Sequence, residues 1–140
     1  MADDKINLLE EGLELQLDFE KLNKIKDGNK VIPVAVQDIN SGEVILIAYI
    51  NEKALHESIK TRVATFWSTS RNELWIKGLS SGNTYRLEEV YVNCEQNSLV
   101  FKVSPKASGI CHTKNKNKKS RNCYYRKLDF ETMKLINLDP

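Results

Sequence analysis

A chain of 140 residues, 41% hydrophobic and 29% charged, has the length and balance of one globular domain; a disordered or membrane-embedded chain is excluded. The formal net charge of +2 argues against a nucleic-acid partner. The acidic start, Met1 to Lys5, lacks the apolar stretch of an export signal, and no run approaches membrane-spanning length. A cytoplasmic, reduced environment and no membrane partner are therefore expected, which turns three cysteines towards metal binding or catalysis and away from disulfides.

In chain order, Ile6, Leu8 and Leu9 suggest a short helix, and Leu13, Leu15 and Leu17 an alternating strand. Asp18 offers an N-cap for a helix over Phe19 to Lys26, stopped by Asp27-Gly28-Asn29. Val31 to Ile39 and Glu43 to Ile50 are β-branched runs joined by Asn40-Ser41-Gly42, which signals a hairpin. Asn51 caps a predicted helix from Glu52 to Thr61, with Ala54, Leu55, Ser58 and Ile59 turned inward and His56 at the surface. Strands are expected at Val63 to Ser68, Leu74 to Lys77, Tyr85 to Asn93 and Leu99 to Val103. The last elements are strand-like residues at Tyr124, Tyr125 and Leu128 and a final strand at Thr132 to Ile136. Short links disfavour parallel crossovers, so the expected fold is a single, antiparallel-β-rich α+β domain with one or two packed helices.

Two constellations carry chemistry. Trp67 to Gly82 concentrates Ser68, Ser70, Arg71, Lys77, Ser80, Ser81 and two glycines on one hairpin and the turn after it. Guanidinium, ammonium and backbone donors beside glycine suit phosphate. The rival reading is a solvated hairpin with two core tryptophans. The second constellation is Cys94, Cys111 and Cys123 with His112 and Thr113. Three protein ligands and a water make a catalytic zinc site, whose water loses a proton near neutral pH. His112 is the candidate proton carrier, or alternatively a residue that orients a ligand by hydrogen bonding. The cysteines would also serve as small buried hydrophobes. Lys114 to Lys119 is a cationic, low-complexity patch.

Together these motifs resemble the phosphoribosyl-AMP cyclohydrolases of histidine biosynthesis. The family's Trp-Ser-Arg-Ser-Arg and Leu-Trp-x-Lys-Gly-x-Thr/Ser-Ser-Gly stand here as Trp67 to Arg71, with Thr69 for the first arginine, and Leu74 to Gly82. Its Asp-Cys-Asp-x-Asp stands as Asn93-Cys94-Glu95-Gln96-Asn97. Its Cys-His-Thr and Ser-Cys-Phe/Tyr stand as Cys111-His112-Thr113 and, after a longer, lysine-rich gap, Cys123-Tyr124. Ile32-Pro33, Val36-Gln37-Asp38, Gly42-Glu43-Val44 and Ala48-Tyr49-Ile50-Asn51 are also similar. The resemblance covers residues 30–126, with residues 1–29 as a leading segment of the same domain and 127–140 as a tail or strand.

The resemblance implies an intertwined homodimer that hydrolyses the N1–C6 bond of the adenine ring of N1-(5-phosphoribosyl)-AMP with a zinc-activated water. It implies one zinc per subunit at the interface, held by Cys94 of one chain and by Cys111 and Cys123 of the other. His112 is then the catalytic acid, and Trp67, Ser68, Ser70, Arg71, Lys77, Ser80, Ser81, Gly82 and Thr113 bind the substrate. It also implies magnesium at Asn93, Glu95 and Asn97. Two of the family's three acids are amides here, so that ion is expected to bind weakly. The altered acidic motif leaves two other readings open, a paralogous zinc hydrolase or deaminase of another purine nucleotide and a non-catalytic zinc-stabilised binding dimer.

Overall fold

The computed structural model describes residues 7–17, 30–79, 82–106 and 113–140. Its elements are α1 (Leu8–Glu11), β1 (Ile32–Asp38), β2 (Val44–Ile50), α2 (Glu52–Thr61), β3 (Phe66–Ser68), β4 (Glu73–Trp75), β5 (Tyr85–Val92), β6 (Leu99–Pro105), β7 (Arg126–Leu128) and β8 (Leu135–Asn137). A four-stranded sheet has the order β2-β1-β6-β5, and β3-β4 and β7-β8 form two small hairpins.

The β1–β2 hairpin is closed by Asp38, whose carboxylate accepts the Asn40 N–H at 2.8 Å while its carbonyl accepts the Gly42 N–H at 2.9 Å. Gly42 supplies the positive φ of 78° that this turn needs. Asn51 caps α2 by accepting the Ala54 N–H at 2.9 Å, as its position before an apolar-periodic run predicts. Arg62 ends the helix in the left-handed region at φ 59°. Ala54 and Ser58, one turn apart, are fully buried, and the Ser58 hydroxyl accepts the Thr65 N–H at 2.9 Å.

The strand alternation puts Val34, Val36, Leu46, Ala48, Leu99, Phe101, Val103, Tyr85 and Leu87 on the face packed under α2 and Phe66. Phe66 links that face to the β3–β4 hairpin, with ring centroids 6.1 Å from Phe101 and 5.6 Å from Trp75. The opposite face leaves Ile47 and Tyr91 about half exposed.

Four expectations are corrected. First, the domain is α+β and rich in antiparallel pairs as expected, but the four-stranded sheet is mixed, because β1 pairs with β6 in parallel from Val34↔Leu99 to Asp38↔Val103. The chain between them runs through β2, α2 and β3 to β5, long enough for a parallel return despite short local links. Second, Leu13 to Leu17 form no strand; beyond α1 this stretch is irregular, and the Leu13 carbonyl accepts the Leu135 N–H at 2.7 Å. Third, Ile59 is 43% exposed, because the buried stripe of α2 passes through Ala54 and Ser58. Fourth, Val63 makes only an isolated bridge to Arg86, and the strand begins at Phe66. The helix expected at Phe19 to Lys26 lies outside the described residues.

The terminal segments pack together. Tyr125 donates to the Glu10 carbonyl at 2.7 Å, Arg126 to the Gly12 carbonyl at 2.7 Å, and β8 returns against β7.

Candidate functional site

Tight turn chemistry positions the phosphate-type hairpin. The Asn72 N–H donates to the Ser68 carbonyl at 2.7 Å with Asn72 at φ 54°, and the Ser68 hydroxyl accepts the Arg71 N–H at 3.2 Å. Ser68 and Thr69 are thereby buried beneath the turn, while Ser70 and Arg71 stand exposed at its tip. The Trp67 indole N–H is buried and has no hydrogen-bond partner among the described residues. After β4, Lys77 lies with its ammonium 5.5 Å from the Trp75 ring centre. Gly78 follows at φ 80°, and a Cβ there would fall 2.0 Å from the Asn83 carbonyl oxygen, so the return of this turn admits only glycine. Gly82 also has positive φ, in open space. Ser80 and Ser81 lie outside the described residues.

Lys77 and Cys123 line one cleft of about 550 Å³, together with Glu10, Glu14, Tyr124 and Tyr125. The structure thus brings a residue of the first constellation to a residue of the second. Burial, with the negative charge of a Cys123 thiolate adding to it, pushes the Tyr85 hydroxyl well above the usual tyrosine range. Burial and then Cys123 also raise Tyr124, against a backbone hydrogen bond at Ile47. Both phenols stay neutral beside the thiol.

Cys94 lies elsewhere. It sits exposed in the turn between β5 and β6, whereas Cys123 is within electrostatic reach of Tyr85 at the start of β5. Eight residues of extended strand, roughly 25 Å, separate that start from the Cys94 turn. Thiolates of one tetrahedral zinc lie within about 4 Å of each other. Both thiols are exposed, which fits a soft metal, but no group of three metal-ligating side chains forms among the described residues of one chain. Cys111 and His112 lie outside the described residues. Thr113 is buried, its carbonyl accepting the Arg121 N–H at 3.1 Å.

The Asn93–Asn97 segment is a closed turn. Asn93 Oδ1 accepts the N–H groups of Asn97 at 2.9 Å and Ser98 at 3.0 Å, and Asn93 Nδ2 donates to Asn97 Oδ1 at 2.6 Å. Asn93 Oδ1 is thus filled by two N–H donors and Asn97 Oδ1 already accepts one, leaving Glu95 as the single carboxylate. This donor set does not fit magnesium.

Sequence reasoning missed Arg121. It is buried, pairs with Glu11 at 2.7 Å, donates to the Asp139 carbonyl at 2.8 Å and lies 4.6 Å over the Tyr125 ring. Its partners are at the two ends of the chain, so no local pattern marks it. It also anchors the lysine-rich loop, which is an ordered turn. Asn115 donates to Asp139 at 2.9 Å, Lys116 N–H to the Pro140 carbonyl at 3.2 Å, and the lysine side chains stand exposed.

Among the described residues no helix is long and apolar enough to cross a membrane. A family model described as phosphoribosyl-AMP cyclohydrolase matches residues 46–125, from β2 through Cys123. A protein of that name from Methanothermobacter thermautotrophicus is 39% identical over 109 residues, 78% of this chain and 75% of that one. One from Methanothrix thermoacetophila is 45% identical over 100 residues, 71% of this chain and 78% of that one. One from Desulfatibacillum aliphaticivorans is 32% identical over 122 residues, 87% of this chain and 89% of that one.

Proposed function

The chain belongs to the phosphoribosyl-AMP cyclohydrolase family, and from that membership we propose that it opens the adenine ring of N1-(5-phosphoribosyl)-AMP by hydrolysing the N1–C6 bond, in the cytoplasm, as a step of histidine biosynthesis. The observation that carries the reading is the cleft shared by Lys77 and Cys123. A cation suited to phosphate and a thiol suited to zinc line one cavity, of a size that takes a small ligand.

Cys94 of one copy, with Cys111 and Cys123 of another, would hold the zinc in a homodimer. The placement of Cys94 in the turn after β5 and of Cys123 in the cleft with Lys77 supports this division, since no group of three metal-ligating side chains forms among the described residues of one chain. When bound, the metal supplies a Lewis acid that makes water nucleophilic at neutral pH. His112 delivers the proton to N1 as the C–N bond breaks. Arg71 and Lys77 hold phosphate groups, with Ser70, Ser80, Ser81 and the backbone at Gly82 as neutral donors. Trp67, Ser68 and Thr113 would also bind the substrate.

The test is turnover. Purified zinc-loaded protein is offered phosphoribosyl-AMP, with ring opening followed by absorbance and the product confirmed by mass. Wild type is expected to turn over, and Cys123→Ser to lose both zinc and turnover. A zinc-loaded wild type that leaves this substrate untouched but opens or deaminates another purine nucleotide would replace the proposal with the paralogue reading.

A further inference from the structure

The turn that carries Cys94 departs from the family in a way that its geometry explains. In Asn93-Cys94-Glu95-Gln96-Asn97, the first and last side chains face each other across 2.6 Å, Asn93 Nδ2 donating to Asn97 Oδ1. Two carboxylates at those positions would bring acceptor to acceptor, both negatively charged. Such a pair needs a proton or a cation between its oxygens. An amide opposite another amide needs neither, because one supplies the N–H and the other the oxygen.

The rest of the turn is closed in the same self-contained manner. Asn93 Oδ1 takes the Asn97 and Ser98 N–H groups, the Asn93 carbonyl takes the Gln96 N–H at 3.0 Å, and Gln96 accepts the required φ of 55°. We infer that the Asn93–Asn97 amide pair replaces a divalent cation at this turn, so that the segment holding Cys94 is ordered without magnesium. The inference concerns binding and order, and it stands or falls independently of whether the chain opens phosphoribosyl-AMP.

A cycle of single and double replacements, read by thermal melting at equal zinc content with and without magnesium chloride, tests it. Asn97→Asp alone keeps the Asn93 donor facing an oxygen. Asn93→Asp alone is met by turning the Asn97 amide to donate. Both single variants are expected to melt close to wild type and to ignore magnesium. Asn93→Asp with Asn97→Asp should melt lower than the sum of the single changes in magnesium-free buffer. It should recover saturably as magnesium is added, with a matching heat of binding by calorimetry. Wild type should show no saturable magnesium binding up to roughly millimolar concentration, where low-charge oxygen sites begin to fill. A wild type whose melting temperature rises saturably with magnesium would overturn the inference, as would a double variant that equals the sum of its parts and ignores the ion. Should the double variant fail to fold in either buffer, the wild-type titration decides.

Discussion

Arg121 is the one buried cation among the described residues, and its surroundings explain how a charge tolerates that position. The Glu11 carboxylate at 2.7 Å, the Asp139 carbonyl and the Tyr125 ring face leave the guanidinium solvated by protein. Its removal strands Glu11 and leaves the Asp139 carbonyl without the guanidinium, although Tyr125, Arg126 and Asn115 still tie the terminal segments to this region. Arg121→Met is therefore expected to destabilise by about 2–4 kcal/mol, at or below the cost of breaking a fully buried pair because Glu11 still reaches water. Urea unfolding measures this, and a change under about 0.5 kcal/mol, the scale of ordinary surface substitutions, would remove the clamp from the account. Lys77 and Arg71 call for the opposite signature. One stands over Trp75 at a half-buried edge and the other is exposed, so neither supports the fold much. Lys77→Ala and Arg71→Ala should each raise KM about tenfold or more, the equivalent of one charged hydrogen bond, with melting little changed. Unchanged KM in both would leave the hairpin a purely structural element.

At the scale of elements, two glycines with nearly the same φ separate backbone strain from steric fit. Gly42 (φ 78°) turns in open space, whereas Gly78 (φ 80°) sits against the Asn83 carbonyl. Gly42→Ala should cost about 1 kcal/mol, from the left-handed conformation alone. Gly78→Ala adds a clash that only a backbone shift relieves, so it should melt lower and also raise KM by displacing Lys77. Equal effects of the two changes would show that the close approach at Gly78 does not matter. The elements legible in the sequence were those governed by local rules: the Asn51 cap, the Asn40 to Gly42 hairpin turn, and the β-branched runs of β1 and β2. The parallel β1–β6 pairing was not legible, because it joins segments separated by five intervening elements, and periodicity reports a strand's faces but not its neighbour. The leucines at 13–17 mimic an alternating strand, yet the Leu13 carbonyl accepts the Leu135 N–H of the carboxyl-terminal hairpin, a partner no local pattern discloses. Of the candidate site, the hairpin and Cys123 were marked by residue type. Their meeting in one cleft required tertiary structure.

At the scale of the whole molecule, the proposed zinc site has to bring exposed thiols together. β5, a strand roughly 25 Å long, holds Cys94 at its far end from Tyr85, and among the described residues no group of three metal-ligating side chains forms. The proposed two-fold dimer would do this in one operation, each end of one copy meeting the complementary end of the other so that the same contact is made twice. Folding, association and metal binding are then linked, and chelation should lower both thermal stability and the dimer fraction. The decisive consequence is complementation. Cys94→Ser and Cys123→Ser proteins should each be inactive and hold little zinc. Mixed in equal amounts and allowed to exchange subunits, they form hybrids in which one site carries both lesions and the other carries none. With random pairing, activity should recover to about a quarter of wild type, since about half the dimers are hybrids and each has one of two sites intact. Zinc retention should recover to the same extent, which separates site assembly from catalysis. If all three thiols met at a metal within one chain, mixing would restore nothing, and a zinc-loaded monomer in light scattering would show the same.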